Sequence, residues 1–343
     1  MSTSISDATT HSVRLLTYNM FMRPPGIYSG NGDFKWERLR LFASTVLSSY
    51  DVVSVQECFA FGTTRRSEFI RLAKEQGLEY HCACPLPSWT SGQVDGGLLI
   101  LSRFPITDTD YLTYPRGVHS DWLAAKGVLY ARIEVAQGQY LMLFSTHTQA
   151  SYEADPPLDS PSSLVRLDQL QRASKFISAK LDPIEPTNSQ QAKGVVMFAG
   201  DFNVNGRFSR LDGVQHSKEY QLLVDTISGS QSIQDQQTPS EISKNTSQKE
   251  LFDVVDIAYT CLNEHPVTTC TIVDTDKEPE NKCLDYLFHL ISKSTTPTSV
   301  QFKNVSVEPF LVDKQPFTHM SDHCGMAANL VFTQINPLDM PSK

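Results

Sequence analysis

Polar residues able to do chemistry recur where apolar runs end. Asn19 follows the run Val13–Tyr18, Glu57 follows Asp51–Val55, and His147 follows Tyr140–Ser145. Asp201 and Asn203 follow Gly194–Ala199, Asp285 lies at the start of the run to Leu290, and Asp322-His323 precedes Ala327–Phe332. In a sheet-based protein such positions converge on one rim, where ligands bind. Carboxylates and an amide without a Cys/His cluster are hard oxygen donors, a set that suits Mg2+ and not zinc. Two histidines beside such an ion supply acid–base chemistry and charge stabilisation at neutral pH. Each motif alone has an ordinary reading. Gly200-Asp201-Phe202-Asn203 can be a strand running into a turn, Ser321-Asp322-His323 a turn or helix start, and His147 a satisfied histidine at a strand end. Only the ordered set points to a site.

The elements that must position these residues alternate between strand and helix patterns. Besides the runs above, Gly97–Leu101 and Val128–Val135 read as strands, and Gln137-Gly138 as a hairpin turn before Tyr140. Phe34–Leu47 carries Trp36, Leu39, Phe42 or Ala43, and Val46 at helical spacing, with Asp33 placed as N-cap. Ser67–Gln76 predicts a second helix closed by Gly77, and Ser163–Lys180 a third. The continuous apolar run 194–199 suits a strand covered on both faces. Residues 182–193 and the polar run 228–250 read as loops, the latter exposed or an insertion. No fixed-period repeat and no linker divides the chain. The reading is one domain over 13–333, with a disordered polar tail at 1–12 and a C-terminal tail at 334–343.

Composition narrows the partners. The 343 residues are 40% hydrophobic and 20% charged, enough to bury a core, and 29 Lys plus Arg against 38 Asp plus Glu give a net charge of -9. Such acidity opposes a broad basic surface for nucleic acid, yet leaves room for an enzyme that meets phosphate through a bound cation. No run approaches a membrane span, and Met1–Thr10 has neither the basic nor the apolar region of a signal peptide. Seven cysteines, an odd number, without zinc spacing and with Cys82-x-Cys84 too tight for an ordinary bridge, read as reduced thiols in a cytoplasmic protein. Asn245-Thr-Ser and Asn304-Val-Ser match the glycosylation pattern, which has meaning only in a secreted chain.

The ordered series Thr17-Tyr-Asn19, Val55-Gln-Glu57, Ser145-Thr-His147, Gly200-Asp201-Phe-Asn203, Leu284-Asp285-Tyr and Ser321-Asp322-His323 resembles the endonuclease/exonuclease/phosphatase superfamily. Within it the chain is most similar to neutral sphingomyelinases. The segment Asp121-Trp-Leu-Ala-Ala-Lys126-Gly-Val-Leu-Tyr-Ala-Arg132, the run His147-Thr-Gln149-Ala, and the helix beginning Val165-Arg-Leu-Asp-Gln-Leu-Gln171 carry that closer likeness. The resemblance implies an α/β, DNase I-like four-layer sandwich, two mixed β-sheets packed face to face and flanked by helices. It implies Mg2+-dependent hydrolysis of sphingomyelin to ceramide and phosphocholine by in-line attack of water. Glu57 would be the main metal ligand with Asn19 beside it. His323 would be the general base, oriented by Asp285. Asp201 and Asn203 would orient the water and a phosphate oxygen, and His147 would donate to a phosphate oxygen. Asp322 would support the same centre, and Lys126 with Asp121 would hold the substrate phosphate.

A sphingolipid substrate requires at least peripheral contact with a membrane surface. Phe59, Phe61, Trp89 and Trp122 flank motif positions and suit an interface, although each could equally pack in the core. No amphipathic helix with a basic face and no lipidation motif is visible. The net charge would be repelled by anionic lipid and is indifferent to a zwitterionic headgroup. Competing readings are another phospholipid phosphodiesterase, an inositol-phosphate phosphatase, a DNA endonuclease, and a silent binding module of the same fold. The nuclease reading lacks a basic segment, Arg65-Arg66 being the densest pair. The phosphatase reading lacks the Arg of a Trp-Cys-Asp-Arg element, where this chain has Lys282-Cys-Leu-Asp285-Tyr. The intact residue set opposes the silent module. Oligomeric state is not legible in the sequence.

Overall fold

Apolar strands that lack an exposed face need cover on both sides, and the chain supplies it with two sheets and two sets of helices. The computed structural model describes residues 10–27, 33–151, 153, 156–181, 194–208, 214–230, 250–272, 281–293 and 299–333. The first half runs β1 (Thr10–Met22), α1 (Lys35–Thr45), β2 (Val52–Cys58), α2 (Arg65–Glu75), β3 (Tyr80–Ala83), β4 (Leu99–Ser102), β5 (Ile106–Thr113), β6 (Gly127–Ala136) and β7 (Gln139–His147). It continues with α3 (Pro161–Leu181), β8 (Gly194–Asp201), α4 (Lys218–Ser228), β9 (Phe252–Asp256), α5 (Ile257–Leu262), β10 (Asp285–Ser292), β11 (Val300–Glu308) and β12 (Gly325–Thr333).

The strands form two six-stranded mixed sheets, in the orders β11-β12-β1-β2-β4-β3 and β5-β6-β7-β8-β10-β9. Each has one parallel pair near its middle, β1 with β2 and β7 with β8. The sheets pack face to face through Leu15, Val52 and Ile100 of the first and Ala131, Leu143, Met197 and Leu287 of the second. On the outer face of the first sheet, Leu39 and Phe42 of α1 and Phe69 of α2 pack on Tyr18 and Val55. On the other, Leu170 and Ile177 of α3 and Leu223 of α4 pack on Phe144 and Phe198. The result is the four-layer α/β sandwich of the DNase I-like fold.

Toward one rim the intersheet core turns polar. Ser54 Oγ donates to Ser145 Oγ at 2.7 Å, and Gln56 Nε2 donates to Thr17 Oγ1 at 3.2 Å. The Ser54–Ser145 bond and a second from Gln56 Nε2 to Ser145 Oγ at 3.3 Å tie the two sheets together beneath the site.

Several local expectations are corrected. Strand β1 begins at Thr10, so the polar tail is shorter than 1–12. Asp33 does not cap α1; Phe34 occupies the N-cap in a left-handed conformation without a side-chain bond, and Asp33 instead pairs with Lys35 at 3.0 Å. Gly77, at φ 84, does follow α2 in the left-handed conformation that closes a helix. The polar run 228–250 begins in the last residue of α4, and its residues 231–249, like residues 334–343, lie outside the described residues.

Candidate active site

The sheet topology explains why residues so far apart in sequence meet. Parallel neighbours end on the same side, so Asn19 and Glu57 leave β1 and β2 together, and His147 and Asp201 leave β7 and β8 as register partners. Strands β10 and β12 run antiparallel to β8 and β1, so they start where those end. Asp285, first residue of β10, is therefore the register partner of Asp201, and His323 lies two residues before β12. All eight strand-end residues of the sequence reading converge on this rim.

Asp201 is the hub. Its Oδ2 accepts from Asn19 Nδ2 at 3.0 Å and lies 3.5 Å from His147 Nε2 and 3.7 Å from His323 Nε2. Its other oxygen accepts from the Asn203 backbone N–H at 2.9 Å. His323 Nδ1 meets Asp285 Oδ2 at 2.7 Å, and Asn19 Nδ2 also donates to Glu57 Oε1 at 3.2 Å. Asn203 Nδ2 donates to Thr148 O at 3.1 Å. Ser321 Oγ donates its one hydrogen to Asn19 O at 2.6 Å and accepts from the His323 N–H at 3.3 Å, with Asp322 Oδ1 3.3 Å away.

Two site residues leave their strands in left-handed conformations, Glu57 at φ 55 and Asn203 at φ 50. Such a conformation costs a non-glycine residue of order 1 kcal/mol and persists only where neighbours impose it. Gly97 is one such neighbour: a Cβ there would lie a tight 3.1 Å from Glu57 Cα, and its own φ of 69 favours glycine as well.

The electrostatics separate the residues. Burial and the nearby Asp322 push the Glu57 carboxyl up to about 7 against the pull of Asn19. Burial raises Asp285 to about 6, opposed by His323, and raises Asp322 as well. For His323, burial lowers the imidazolium's pKa, but the charges of Asp285 and Asp201 outweigh it and hold the ring protonated well above the usual histidine range. For Asp201, burial alone would raise the carboxyl, yet His323 and His147 bring it below its usual value. His147 goes the other way, down to about 4, through burial and then the Lys126 ammonium. It is a neutral histidine.

Three buried atoms at the rim have no hydrogen-bond partner: Glu57 Oε2, His147 Nδ1 and Asp285 Oδ1. An orphaned carboxylate oxygen with a raised pKa is where a divalent cation fits. Among the described residues Asn19 Oδ1 accepts only the Phe21 N–H, at 3.0 Å, and its second lone pair suits an ion. The residues thus fit Mg2+. Asp201, Asp285 and His323 also bring potential ligand atoms within 4.8 Å of one another. The short His323–Asp285 bond makes that group primarily a hydrogen-bonded acid–base set.

The structure refines the Asp121–Lys126 pair. Lys126 is buried, and Nζ meets Asp121 Oδ2 at 2.7 Å, Thr148 O at 2.7 Å and His147 Nε2 at 3.2 Å. All three ammonium hydrogens are committed. The ammonium facing Nε2 leaves the His147 proton on Nδ1, the atom without a partner. Asp121 also accepts from Ala150 N at 2.7 Å, fixing the loop.

Thr148 and Ser321 lie within motifs quoted from the sequence but have no role assigned there; the Thr148 carbonyl joins Lys126 to Asn203, and the Ser321 hydroxyl donates to Asn19 O. Sequence reading missed Arg38, which had a signal: a charged residue on the inward face of α1 beside Leu39 and Phe42. Of the interface candidates, Phe61, Trp89 and Trp122 are exposed, but Phe59 is buried and is not at a surface.

No family model matches the chain. A sphingomyelinase of Dictyostelium discoideum is 30% identical over 86% of this chain and 74% of its own length. Sphingomyelinase C of Bacillus cereus is 27% identical over 57% of the chain and 58% of its own. An inositol phosphosphingolipids phospholipase C of Schizosaccharomyces pombe is 27% identical over 80% and 59%. Among solved structures, sphingomyelinase C from Streptomyces griseocarneus superposes with a TM-score of 0.61 at 19% identity, over 93% of this chain and 99% of that one. A Staphylococcus aureus beta toxin with bound magnesium ions gives 0.57 at 18% identity, over 94% and 100%. These structural likenesses share the fold and support no finer statement. With 30% identity across most of both chains, the protein belongs to the sphingomyelinase family and is a phosphodiesterase hydrolase.

Proposed function

We propose that the protein hydrolyses the phosphodiester of sphingomyelin to ceramide and phosphocholine with the help of Mg2+. The observation that carries this reading is the orphaned Glu57 oxygen facing a histidine–carboxylate pair across Asp201. Glu57 and Asn19 would hold the ion, which when bound neutralises the phosphodiester and the departing oxygen.

The other steps belong to the chain's own residues. Asp285 fixes His323 through Nδ1, so Nε2 faces the rim, and the ring in its neutral form, which becomes more populated as pH rises, takes a proton from water there. The 3.7 Å from Nε2 to Asp201 is too long for a hydrogen bond and short enough for a bridging water. Asp201 and Asn203 orient that water. His147 Nδ1–H is the buried donor for a nonbridging phosphate oxygen, and Lys126 holds the ring in that tautomer while adding positive charge. A direct Lys126 contact with phosphate would require exchange of one of its three present partners. Asp322 sets the charge around Glu57.

The membrane-facing side is proposed to be the exposed Leu86, Trp89, Trp122 and Leu123, Trp89 being 97% exposed. The two segments that carry them are joined by Val94 N to Leu123 O at 2.8 Å. Trp and Leu beside Arg116, which stacks on Trp122 at 4.1 Å, suit a bilayer interface. Among the described residues no helix is long and apolar enough to cross a membrane, so contact is proposed to be peripheral. The seven free thiols support a cytoplasmic setting. A nucleic-acid partner is disfavoured because Arg65 and Arg66 are used internally, on Arg23 O and Asp95.

The test is hydrolysis of sphingomyelin vesicles, phosphatidylcholine vesicles, inositol-phosphosphingolipid vesicles and abasic DNA, each with Mg2+ or EDTA. The reading expects metal-dependent phosphocholine release from the first. Cleavage of DNA alone, or an EDTA-resistant rate, overturns it.

A further inference from the structure

Arg38 lies on the buried face of α1 with no exposed surface. Its guanidinium donates to Asp33 O from Nε at 2.6 Å, to Met20 O and Met320 O from Nη1 at 2.8 and 2.7 Å, and to Phe21 O from Nη2 at 2.9 Å. All four acceptors are main-chain carbonyls. A buried cation is costly unless it is paired or does something that an apolar side chain cannot.

What it joins indicates the task. Met20 and Phe21 directly follow Asn19 at the end of β1, and Phe21 sits in the left-handed region at φ 53, where its backbone needs external support. Met320 directly precedes Ser321-Asp322-His323. One nitrogen, Nη1, therefore holds the segment that presents the candidate metal ligand and the segment that presents the candidate base. Burial lowers the Arg38 pKa, and the nearby carboxylates Asp322, Asp33 and Glu57, in that order, oppose it. Only one other hydrogen bond described here joins the two segments directly, Ser321 Oγ to Asn19 O.

We propose that Arg38 is a positioning residue, which sets the spacing between the Asn19 and His323 segments and so the geometry between ion and attacking water. Lysine keeps the charge, but its shorter stem and single nitrogen cannot serve Met20 O, Met320 O, Phe21 O and Asp33 O in the fixed geometry that the guanidinium gives. This inference rests on the site reading given above, so His323→Ala serves as the control for that reading.

The experiment uses the full chain with Arg38→Lys, Arg38→Gln and His323→Ala. It measures thermal unfolding, Mg2+ affinity by calorimetry, and kcat and KM on sphingomyelin vesicles at saturating Mg2+. For folded Arg38→Lys the expectation is kcat lower by about 10- to 100-fold with KM within about twofold, because misplaced groups slow chemistry more than binding. Mg2+ affinity should fall about 10-fold, a readout independent of turnover. If Arg38→Lys does not fold, Arg38→Gln, which buries no unpaired charge, carries the same test. Wild-type kcat and Mg2+ affinity in a folded variant overturn the proposal, as does failure of both variants to fold, which would make Arg38 a support of the whole chain. Turnover persisting in His323→Ala would overturn the site reading itself, while the calorimetric result on Arg38 would still stand.

Discussion

Each sheet places one parallel pair near its middle and flanks it with antiparallel strands, yet the two pairs deliver different chemistry to the shared rim. The β1–β2 pair ends in an amide and a carboxylate, Asn19 and Glu57, with an oxygen left unpaired. The β7–β8 pair ends in His147 and Asp201, tied to Lys126 and Asn203. The first half offers hard oxygen donors, and the second offers proton donors and a network that orients them. Their antiparallel neighbours repeat the split across the gap, since β12 brings His323 to the first half and β10 brings Asp285 to the second. The hydrogen-bonded pair His323–Asp285 is thus assembled from both halves, and it exists only when the sheets are packed.

That arrangement predicts the largest effect at the junction. His323→Ala should lower kcat by about 10²–10⁴-fold without loss of the folded state, because general-base catalysis contributes on that order. Asp285→Asn should also lower kcat, and should shift the rising limb of its pH profile to lower pH. The sign follows from charge: Asp285 raises the His323 pKa, so removing that charge lets the ring become neutral, and able to act as base, at lower pH. Stopped-assay rates across pH on vesicles check both, and an unmoved limb would deny the pairing its role.

The next effects should separate the halves. His147→Ala should reduce kcat by about 10²–10³-fold, the cost of one preorganised donor, while leaving Mg2+ affinity unchanged. Glu57→Gln should instead weaken Mg2+ binding by at least about 10-fold in calorimetry. Equal loss of metal affinity in both variants would erase the distinction drawn between the two strand pairs.

Much of this division was readable in the sequence because strand-end positions carry side chains out of the core, and their types state their chemistry without a fold. The central strands were readable too, since burial on both faces leaves continuous apolar runs such as Gly194–Ala199. The four strands left unread are the edges, β3, β5, β9 and β11. Edge strands touch one neighbour and tolerate polar residues, as Ile106-Thr-Asp-Thr-Asp-Tyr-Leu-Thr113 does, so no apolar run marks them. The role of Thr148 stayed hidden for another reason: it lies in a backbone carbonyl, which has no sequence identity, and the same holds for the partners of Arg38, although its charge on the apolar face of α1 was readable. Phe59 and Phe61 illustrate the limit from the side of burial, two residues apart with only the second exposed.

Stability offers a smaller test of the same comparison. Glu57 has its carboxyl raised from 4.5 to about 7, chiefly by burial. A raised carboxyl contributes stability that is present below its unfolded value and lost as pH rises through its folded value. In EDTA, wild-type stability should therefore decline between about pH 4.5 and 7 more steeply than that of Glu57→Gln, and Mg2+ should restore it. Above pH 7 in EDTA the variant should melt higher, by about 1–2 °C for each kcal/mol relieved in a chain of 343 residues. A variant that melts lower under those conditions would mean that Glu57 is structural and not held in readiness for an ion.

The weakest expected effect lies outside the rim, where the halves meet a second time. The 86–94 segment leaves the first sheet between β3 and β4, and the 114–125 segment leaves the second between β5 and β6. They join through Val94 N to Leu123 O at 2.8 Å and Ala125 N to Val94 O at 2.9 Å. Here the contributions are alike, each half adding one Trp and one Leu to the surface, in contrast to their division of labour at the site. Burying a single exposed Trp at an interface is worth about 1.5–3 kcal/mol at most. Shared among several residues, Trp89→Ala should reduce partition onto zwitterionic vesicles by about 3- to 10-fold and leave turnover of a detergent-dispersed substrate unchanged. Trp122→Ala, from the other half, should do the same. If only one of the two weakened binding, the apolar surface would belong to a single half, and peripheral docking would be no joint product of the two sheets.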